Sequence, residues 1–217
     1  MKKSLFEGIA AGVYIGIGGA VFLACENKVL GAVFFTVALL SICLTGMQLF
    51  TGKVGMIVTS HTRADVVSLF GCLLGNLLGT LLCALIARVG VPTLQERSAE
   101  VASVKLNILT VSTGPLRVLF AGILCGILMY TAVWAYKQKN TVWGILFCVP
   151  VFILAGFEHS IADMFYLFFA GTFDPAGFVT PAAFLFLLLV VIGNSVGGML
   201  IPFLALLGKE KEKEADQ

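Results

Sequence analysis

Nearly all the charge in this chain is confined to short zones at residues 2–7, 26–28, 63–65, 88–117, 137–139 and 209–216. Between them lie six apolar runs, at about 6–25, 29–60, 66–88, 116–136, 141–170 and 178–207. Each reaches the ~20 residues that an α-helix needs to cross a bilayer core of ~30 Å. A soluble domain cannot absorb this pattern. At 217 residues it would expose too much surface to be 59% hydrophobic, 12% charged and +1.02 in mean hydropathy. The solvent is therefore lipid, where a backbone must satisfy its own polar groups, and runs of this length do so as helices. The expected fold class is an all-α integral membrane protein with six transmembrane helices.

The runs at 29–60 and 141–170 are about 30 residues each, too long for one straight crossing. Each holds an interruption at its middle, "LTGMQLFTGK" at 44–53 and "LAGFEHSIAD" at 154–163. Helices 2 and 5 are thus expected to break at mid-membrane, where irregular backbone is tolerated only if buried in protein or lining a cavity. The halves also echo each other. "GVYIG" at 12–16 and "GILCG" at 122–126 match at an offset of 110, as do "GMQLF" at 46–50 and "GFEHS" at 156–160. "GNLLG" at 75–79 and "GNSVG" at 193–197 match at 118, the extra eight residues falling in "GTFDPAGF". Three spans per half is an odd number, so the second half is expected upside down relative to the first: an inverted repeat with a path at the repeat interface. One transmembrane domain over 1–208 follows, with halves at about 1–90 and 114–208, an extracytoplasmic loop at about 89–115 and a charged cytoplasmic tail at 209–217.

Lys/Arg placement sets the orientation. With the N-terminus inside, the cytoplasmic segments carry Lys2, Lys3, Arg63, Lys137, Lys139, Lys209, Lys211 and Lys213, against Lys28, Arg88, Arg97, Lys105 and Arg117 outside. Eight against five favours both termini in the cytoplasm of a multi-pass plasma-membrane protein. The N-terminal stretch reads as a first helix rather than a cleaved signal, because its apolar part is long and five spans follow. The sign-alternating tail "GKEKEKEADQ" reads as a solvated, disordered end. The six cysteines are scattered with no CxxC pair and read as packing residues.

The second interruption keeps Glu158 and His159 side by side in an apolar segment, and Thr51 lies just past the first. Across a pseudo-two-fold these residues face each other, and ionisable groups inside a membrane read as functional by default. The freed N–H groups at half-helix N-termini suit an anion. Plainer roles stand beside these. A buried His can be hydrogen-bonded to backbone, and Glu158 can accept N–H bonds from the opposite interruption. Thr51 can cap a half-helix. Gln48 stands opposite Glu158, Asn76 and Asn194 tie helices together, and Lys53 sits at a cavity or snorkels. The Phe-rich "MFYLFFAGTF" reads as lipid-facing packing. Asp163 is either a second pore titrator or a neutral helix linker.

"GFEHSIADMF", "LFTGK" and "IGNSVGG", with "GILCG" and "TAVWAY" in the fourth helix, resemble the formate/nitrite transporter family over nearly the whole chain. The resemblance implies an aquaporin-like 3+3 inverted repeat, a homopentamer with one pore per subunit, and small monovalent weak-acid anions as cargo: formate, nitrite, acetate, lactate or hydrosulfide. It implies His159 as the central pore histidine and Thr51 as the hydroxyl bonded to it. Leu39, Leu49 and Phe50 would form the cytoplasmic constriction, Phe35 and Phe152 the outer one, together with Met129, and Lys105 would be the vestibule lysine. Three departures stand out. Asp163 replaces the family's usual Asn, Gly126 replaces the Asn of "GILCN", and the short N-terminus leaves little room for an amphipathic gating helix.

A bare anion in a narrow apolar constriction faces a desolvation penalty of several kcal/mol, whereas its neutral acid avoids most of it. The expected mechanism is passive or proton-coupled. Charge near Lys105 draws the anion in, transient protonation follows beside His159, and the acid crosses the constriction. Formate or nitrite is the default cargo, with hydrosulfide as the alternative. A neutral-solute channel of the aquaporin type is more remote, since no "NPA" occurs. A metalloenzyme would need a second pore His that the sequence lacks. No enzyme activity, cofactor, metal or nucleic-acid partner is expected, and the bilayer and the anion are the partners.

Overall fold

The apolar runs become helices. The computed structural model describes the backbone of residues 1–60, 62–171 and 180–215, and side-chain surroundings as far as residue 208. Among the described residues there are nine α-helices and no strand: α1 (Lys2–Ala24), α2 (Lys28–Thr45), α3 (Phe50–Lys53), α4 (Arg63–Gly90), α5 (Gln95–Asn107), α6 (Gly114–Lys139), α7 (Trp143–Leu154), α8 (Ser160–Gly171) and α9 (Pro181–Ala215). Five of them, α1, α2, α4, α6 and α9 as far as Gly208, are long and apolar enough to cross a membrane. The two overlong runs behave differently. One yields α2, then α3 with a 3₁₀ turn at Val54–Val58; the other yields α7 and α8.

Both runs are interrupted in the same way. α2 stops at Gly46 and α7 stops short of Gly156, with left-handed φ values of 71° and 72° that glycine adopts without steric cost. The next N–H folds back onto the ended helix, from Met47 to the Ile42 carbonyl (3.0 Å) and from Phe157 to the Phe152 carbonyl (2.9 Å). Residues 47–49 and 157–159 are then non-helical.

Two buried asparagines hold these interruptions. Asn76 on α4 accepts from the Phe50 N–H (2.8 Å) and donates to the carbonyls of Gly8 (2.9 Å) and Gln48 (3.0 Å). Asn194 on α9 accepts from the Ser160 N–H (2.9 Å) and donates to the carbonyls of Gly122 and Glu158, each at 2.8 Å. The bonding corrects one register. Gly122 answers to Gly8, not to Gly12, because glycines at 8, 12 and 16 recur every four residues and let the motif slide by one turn. Gly12 then answers to Gly126: a Cβ on either would collide with the main-chain oxygen of Asn76 or Asn194, respectively.

These close approaches join α1 to α4 and α6 to α9. The short helices cross between the two pairs, with α3 packing on α6 and α8 packing on α4, α1 and α5. Ser160 to Phe169 are all buried, so the Phe-rich segment as far as Phe169 packs inside the protein, not against lipid, and its last two residues, 172 and 173, lie outside the described residues. Gly16 and Gly19 make the room, since a Cβ on either would press on the ring of Phe165. Apolar side chains cover the outside instead, among them Phe34, Phe70, Ile86, Phe147 and Phe184. At the C-terminus α9 runs on to Ala215, where the sequence reading expected a disordered tail. Lys and Glu are good helix formers.

Candidate functional site

The two interruptions meet. Thr51, the second residue of α3, and His159, immediately before α8, are 0% and 2% exposed, and the Thr51 hydroxyl lies 2.9 Å from His159 Nε2. The Ala162 N–H donates to His159 Nδ1 at 3.1 Å, so Nδ1 is an acceptor and the ring hydrogen resides on Nε2. Nε2–H then donates to Thr51 Oγ1, and the threonine O–H remains oriented by its own rotor. Thr51 therefore does not cap α3: the position before that helix is Leu49, which has no side-chain cap. On its other side the imidazole stacks on Phe152, with ring centres 5.5 Å apart and planes 23° apart, and Phe152 meets Phe35 edge-on at 6.3 Å.

A cavity approaches this pair from each side. One, about 220 Å³, lies between the C-terminal ends of α2 and α6 and reaches Leu49, Gly52 and Lys53. The other, about 130 Å³, is bounded by Phe35, Phe152, His159, Lys105 and Asp163. α2 contributes Ile42 and Cys43 to the first cavity and Phe35 to the second. Seven residues of helix, ~10 Å, separate those contributions. Of the expected constriction residues, Leu49 lines the first cavity and Phe35 and Phe152 the second, whereas Leu39, Phe50 and Met129 line neither and are buried in the same apolar core.

Lys105 reaches the second cavity from α5 but brings no unbalanced positive charge. Its amine is ion-paired with Glu158 and with Asp163 Oδ1, the latter at 2.9 Å. Burial opposes the ammonium, yet the two carboxylates outweigh it and hold the pKa of Lys105 above its ordinary value. One cation thus faces two carboxyl groups, and the expected attraction of anions by Lys105 is offset locally. Glu158 departs from expectation as well. Its side chain pairs with Lys105, not with N–H groups of the first interruption, because a charged donor compensates a buried carboxylate better than neutral amides do. Asp163 Oδ2 is buried without a hydrogen-bond partner among the described residues. Three N–H groups at the half-helix N-termini are likewise taken. Asn76 and Asn194 bind the Phe50 and Ser160 N–H groups, and His159 binds that of Ala162, as buried amides require. Those three amides are not open to a ligand, whereas the Thr51 hydroxyl and the His159 Nε2–H face each other across the two interruptions.

Gln48, opposite Glu158 in the repeat, donates to Glu7 Oε2 (2.5 Å) and accepts from Lys53, whose amine also donates to Ser68 Oγ (2.7 Å). Among the lining residues that escaped the sequence reading are Phe22, Tyr166, Tyr136 and Lys137. Tyr166 had a signal, since it lies seven residues after His159 along a helical face. Phe22, Tyr136 and Lys137 come from helix ends whose inward side no local pattern marks. Gly126 lines neither cavity; its place is the backbone contact with α9. Among the described residues no cluster of three or more His, Cys, Asp or Glu is arranged to hold a metal ion.

Comparison with known proteins places this architecture. The profile described as "Formate/nitrite transporter" matches residues 1–207. The nitrite transporter NirC of Salmonella typhimurium is 31% identical over 210 residues, covering 87% of this chain and 76% of that protein. The formate channel FocA of Escherichia coli is 26% identical over 188 residues, covering 75% and 64% respectively. Among solved structures, a pentameric formate channel with formate bound superposes with a TM-score of 0.79 at 24% identity, covering 100% of this chain and 98% of its own.

Proposed function

The chain belongs to the formate/nitrite transporter family, and on that premise we propose that it carries a small monovalent weak-acid anion, of the formate or nitrite type, through a pore in each protomer between Thr51 and His159. The observation that carries this reading is the 2.9 Å contact joining the two interruptions, with a cavity on either side. Six spans are assigned: α1, α2 with α3 and the 3₁₀ turn, α4, α6, α7 with α8, and α9. The second and fifth are broken near mid-membrane, and the halves at about 1–90 and 114–208 form an inverted repeat. The matching asparagine clamps and the paired left-handed glycines support that division. Both termini are assigned to the cytoplasm, which puts the larger cavity on the cytoplasmic side. A homopentamer is assigned by analogy with the pentameric formate channel, and the exposed apolar side chains supply surface for both lipid and neighbouring subunits.

The chemistry follows from the donors. The apolar walls at Phe35, Phe152 and Leu49 make a bare anion costly by several kcal/mol and a neutral acid cheap. His159 Nε2–H and the Thr51 hydroxyl hydrogen-bond the anion between the cavities. Transient protonation there, assisted by His159, lets the cargo cross as its acid and links flux to the proton gradient. The test is flux in proteoliposomes for the wild type and His159→Asn, with formate, nitrite, hydrosulfide and lactate, each with and without an inward proton gradient. One anion is expected to move faster with the gradient, and the variant is expected to lose that coupling. Unchanged coupling in the variant would leave His159 a structural residue. Preference for hydrosulfide would change the cargo while leaving the pore assignment intact.

A further inference from the structure

The two cavities differ in charge in a way their shared framework does not require. The smaller is bounded by Lys105 with Glu158 and Asp163, one cation against two carboxyl groups. The larger, about 220 Å³, has two lysines in its wall, Lys53 and Lys137, and no carboxylate. We propose that this larger cavity is a binding site for a small singly charged anion, held by Lys53 and Lys137 before it reaches the Thr51–His159 pair; this rests on the transport reading above.

Lys53 is held in place by neutral partners. Its amine donates to Gln48 Oε1 and Ser68 Oγ, both uncharged, so its charge is positioned without being cancelled. The nearby carboxylates are engaged elsewhere. Glu7 accepts from Gln48 at 2.5 Å and pairs with Lys3 at 3.7 Å. Asp65 borders a neighbouring cavity and accepts from the hydroxyls of Thr62 (2.6 Å) and Ser60 (2.9 Å). Lys137, at the end of α6, rests its amine 3.7 Å from Met56 Sδ, a wall residue of the same cavity. A thioether is a weak acceptor and is readily left for an anion. Leu49 and Gly52 carry the same wall to the foot of Thr51. A cleft with low-dielectric walls and charge of one sign raises the local concentration of the opposite ion.

Cys43 lines this cavity and reports on it without any transport assay. Purified full-length protein is reacted with two methanethiosulfonates of similar size, one bearing a sulfonate and one a trimethylammonium. Modification of the Cys43 peptide is followed by mass spectrometry, with rates normalised to a free thiol. The sulfonate reagent is expected to react at least tenfold faster, and millimolar formate or nitrite is expected to slow it. In Lys137→Met the ratio falls several-fold, and in Lys53→Met with Lys137→Met it approaches one. Far-UV circular dichroism and pentamer size check that the variants fold, and surface-exposed Lys137 gives an informative variant should Lys53→Met disturb the interruption. A wild-type ratio near one, or preference for the cationic reagent, overturns the site even where flux is normal. The expected ratio with no anion flux retains the site and removes the transport reading instead.

Discussion

The asparagine clamps make a quantitative prediction. Replacing Asn194 by Leu keeps its volume roughly constant but deletes three bonds, to the Ser160 N–H and to the Gly122 and Glu158 carbonyls. In water-soluble proteins each bond is worth ~1 kcal/mol net. In membrane bundles measured values average nearer ~0.6 kcal/mol, because the unfolded chain in lipid also finds partners. The membrane figure governs here, giving a loss of ~2 kcal/mol, with ~5 kcal/mol as the ceiling at ~1.7 kcal/mol per bond. Asn76→Leu deletes the matching three, to the Phe50 N–H and to the Gly8 and Gln48 carbonyls, and with them only a long, weak contact from the Cys72 thiol (3.9 Å). The two variants are therefore expected to lose the same amount, within about 1 kcal/mol, since each removes one acceptor and two donor bonds.

The assay is reversible unfolding by SDS in mixed micelles, followed by Trp134 and Trp143 fluorescence and circular dichroism. Protein concentration is held fixed, because assembly contributes to apparent stability. A double variant tests the link between the interruptions. Thr51 and His159 join α3 to the segment before α8, so loosening one interruption weakens the other, and the combined loss is expected to miss the sum by at least ~0.5 kcal/mol. A loss below ~0.5 kcal/mol for either single variant, against the ~2 kcal/mol expected from three bonds, would refute the claim that these amides hold the interruptions. Losses differing several-fold would refute their equivalence.

Three further perturbations follow from the same contacts. Lys105→Met strands two buried carboxyl groups and is expected to cost ~3–5 kcal/mol in the same unfolding assay, most of it recovered when Glu158→Gln and Asp163→Asn are added. Gly126→Asn, which installs the residue that the family commonly carries, drives a Cβ onto the Asn194 carbonyl and is expected to cost ~1–3 kcal/mol, read as a lower melting temperature. Gly46→Ala and Gly156→Ala meet no atom within 4 Å but force a left-handed alanine, so each is expected to cost ~1 kcal/mol in the unfolding titration, and equally.

What the sequence could reveal was whatever repeats along a helix or ends one. The apolar runs mark the helices because lipid admits little else, and the over-length of two runs marked their interruptions. The glycines at 46 and 156 entered that reading only as matching positions of the repeat; the structure makes them the helix ends, since few other residues accept φ near 70°. Spacing and the resemblance located Glu158, His159 and the Thr51 hydroxyl that meets His159, but not the partners of Glu158. That Asp163 shares Lys105 with Glu158 depends on α5 folding back onto α8, a contact between segments 50 residues and more apart that leaves no periodic trace. The burial of Phe165 and Phe169 was hidden for a related reason. In lipid an outward and an inward phenylalanine look alike in composition, and only the glycines of α1 show where the ring goes.

The two interruptions share their clamps and turns but carry different side chains, and on the transport reading proposed above any direction the pore has lies in that difference. An offset of 110 places Leu49 where His159 stands, Gln48 where Glu158 stands and Lys53 where Asp163 stands. Had the repeat been exact in side chains as well as in bonds, the two mouths would offer an anion the same reception. Instead one mouth presents two lysines and a neutral amide, and the other a lysine outnumbered by carboxyl groups. Only one half supplies the imidazole, so the donor pair needs a contribution from each interruption: the hydroxyl of Thr51 and the ring of His159. A variant that closes either interruption therefore loses the pair as a whole. On that reading, exchanging charges between the mouths is expected to alter which side fills first, seen as a change in the ratio of inward to outward flux, and to leave the donors in place.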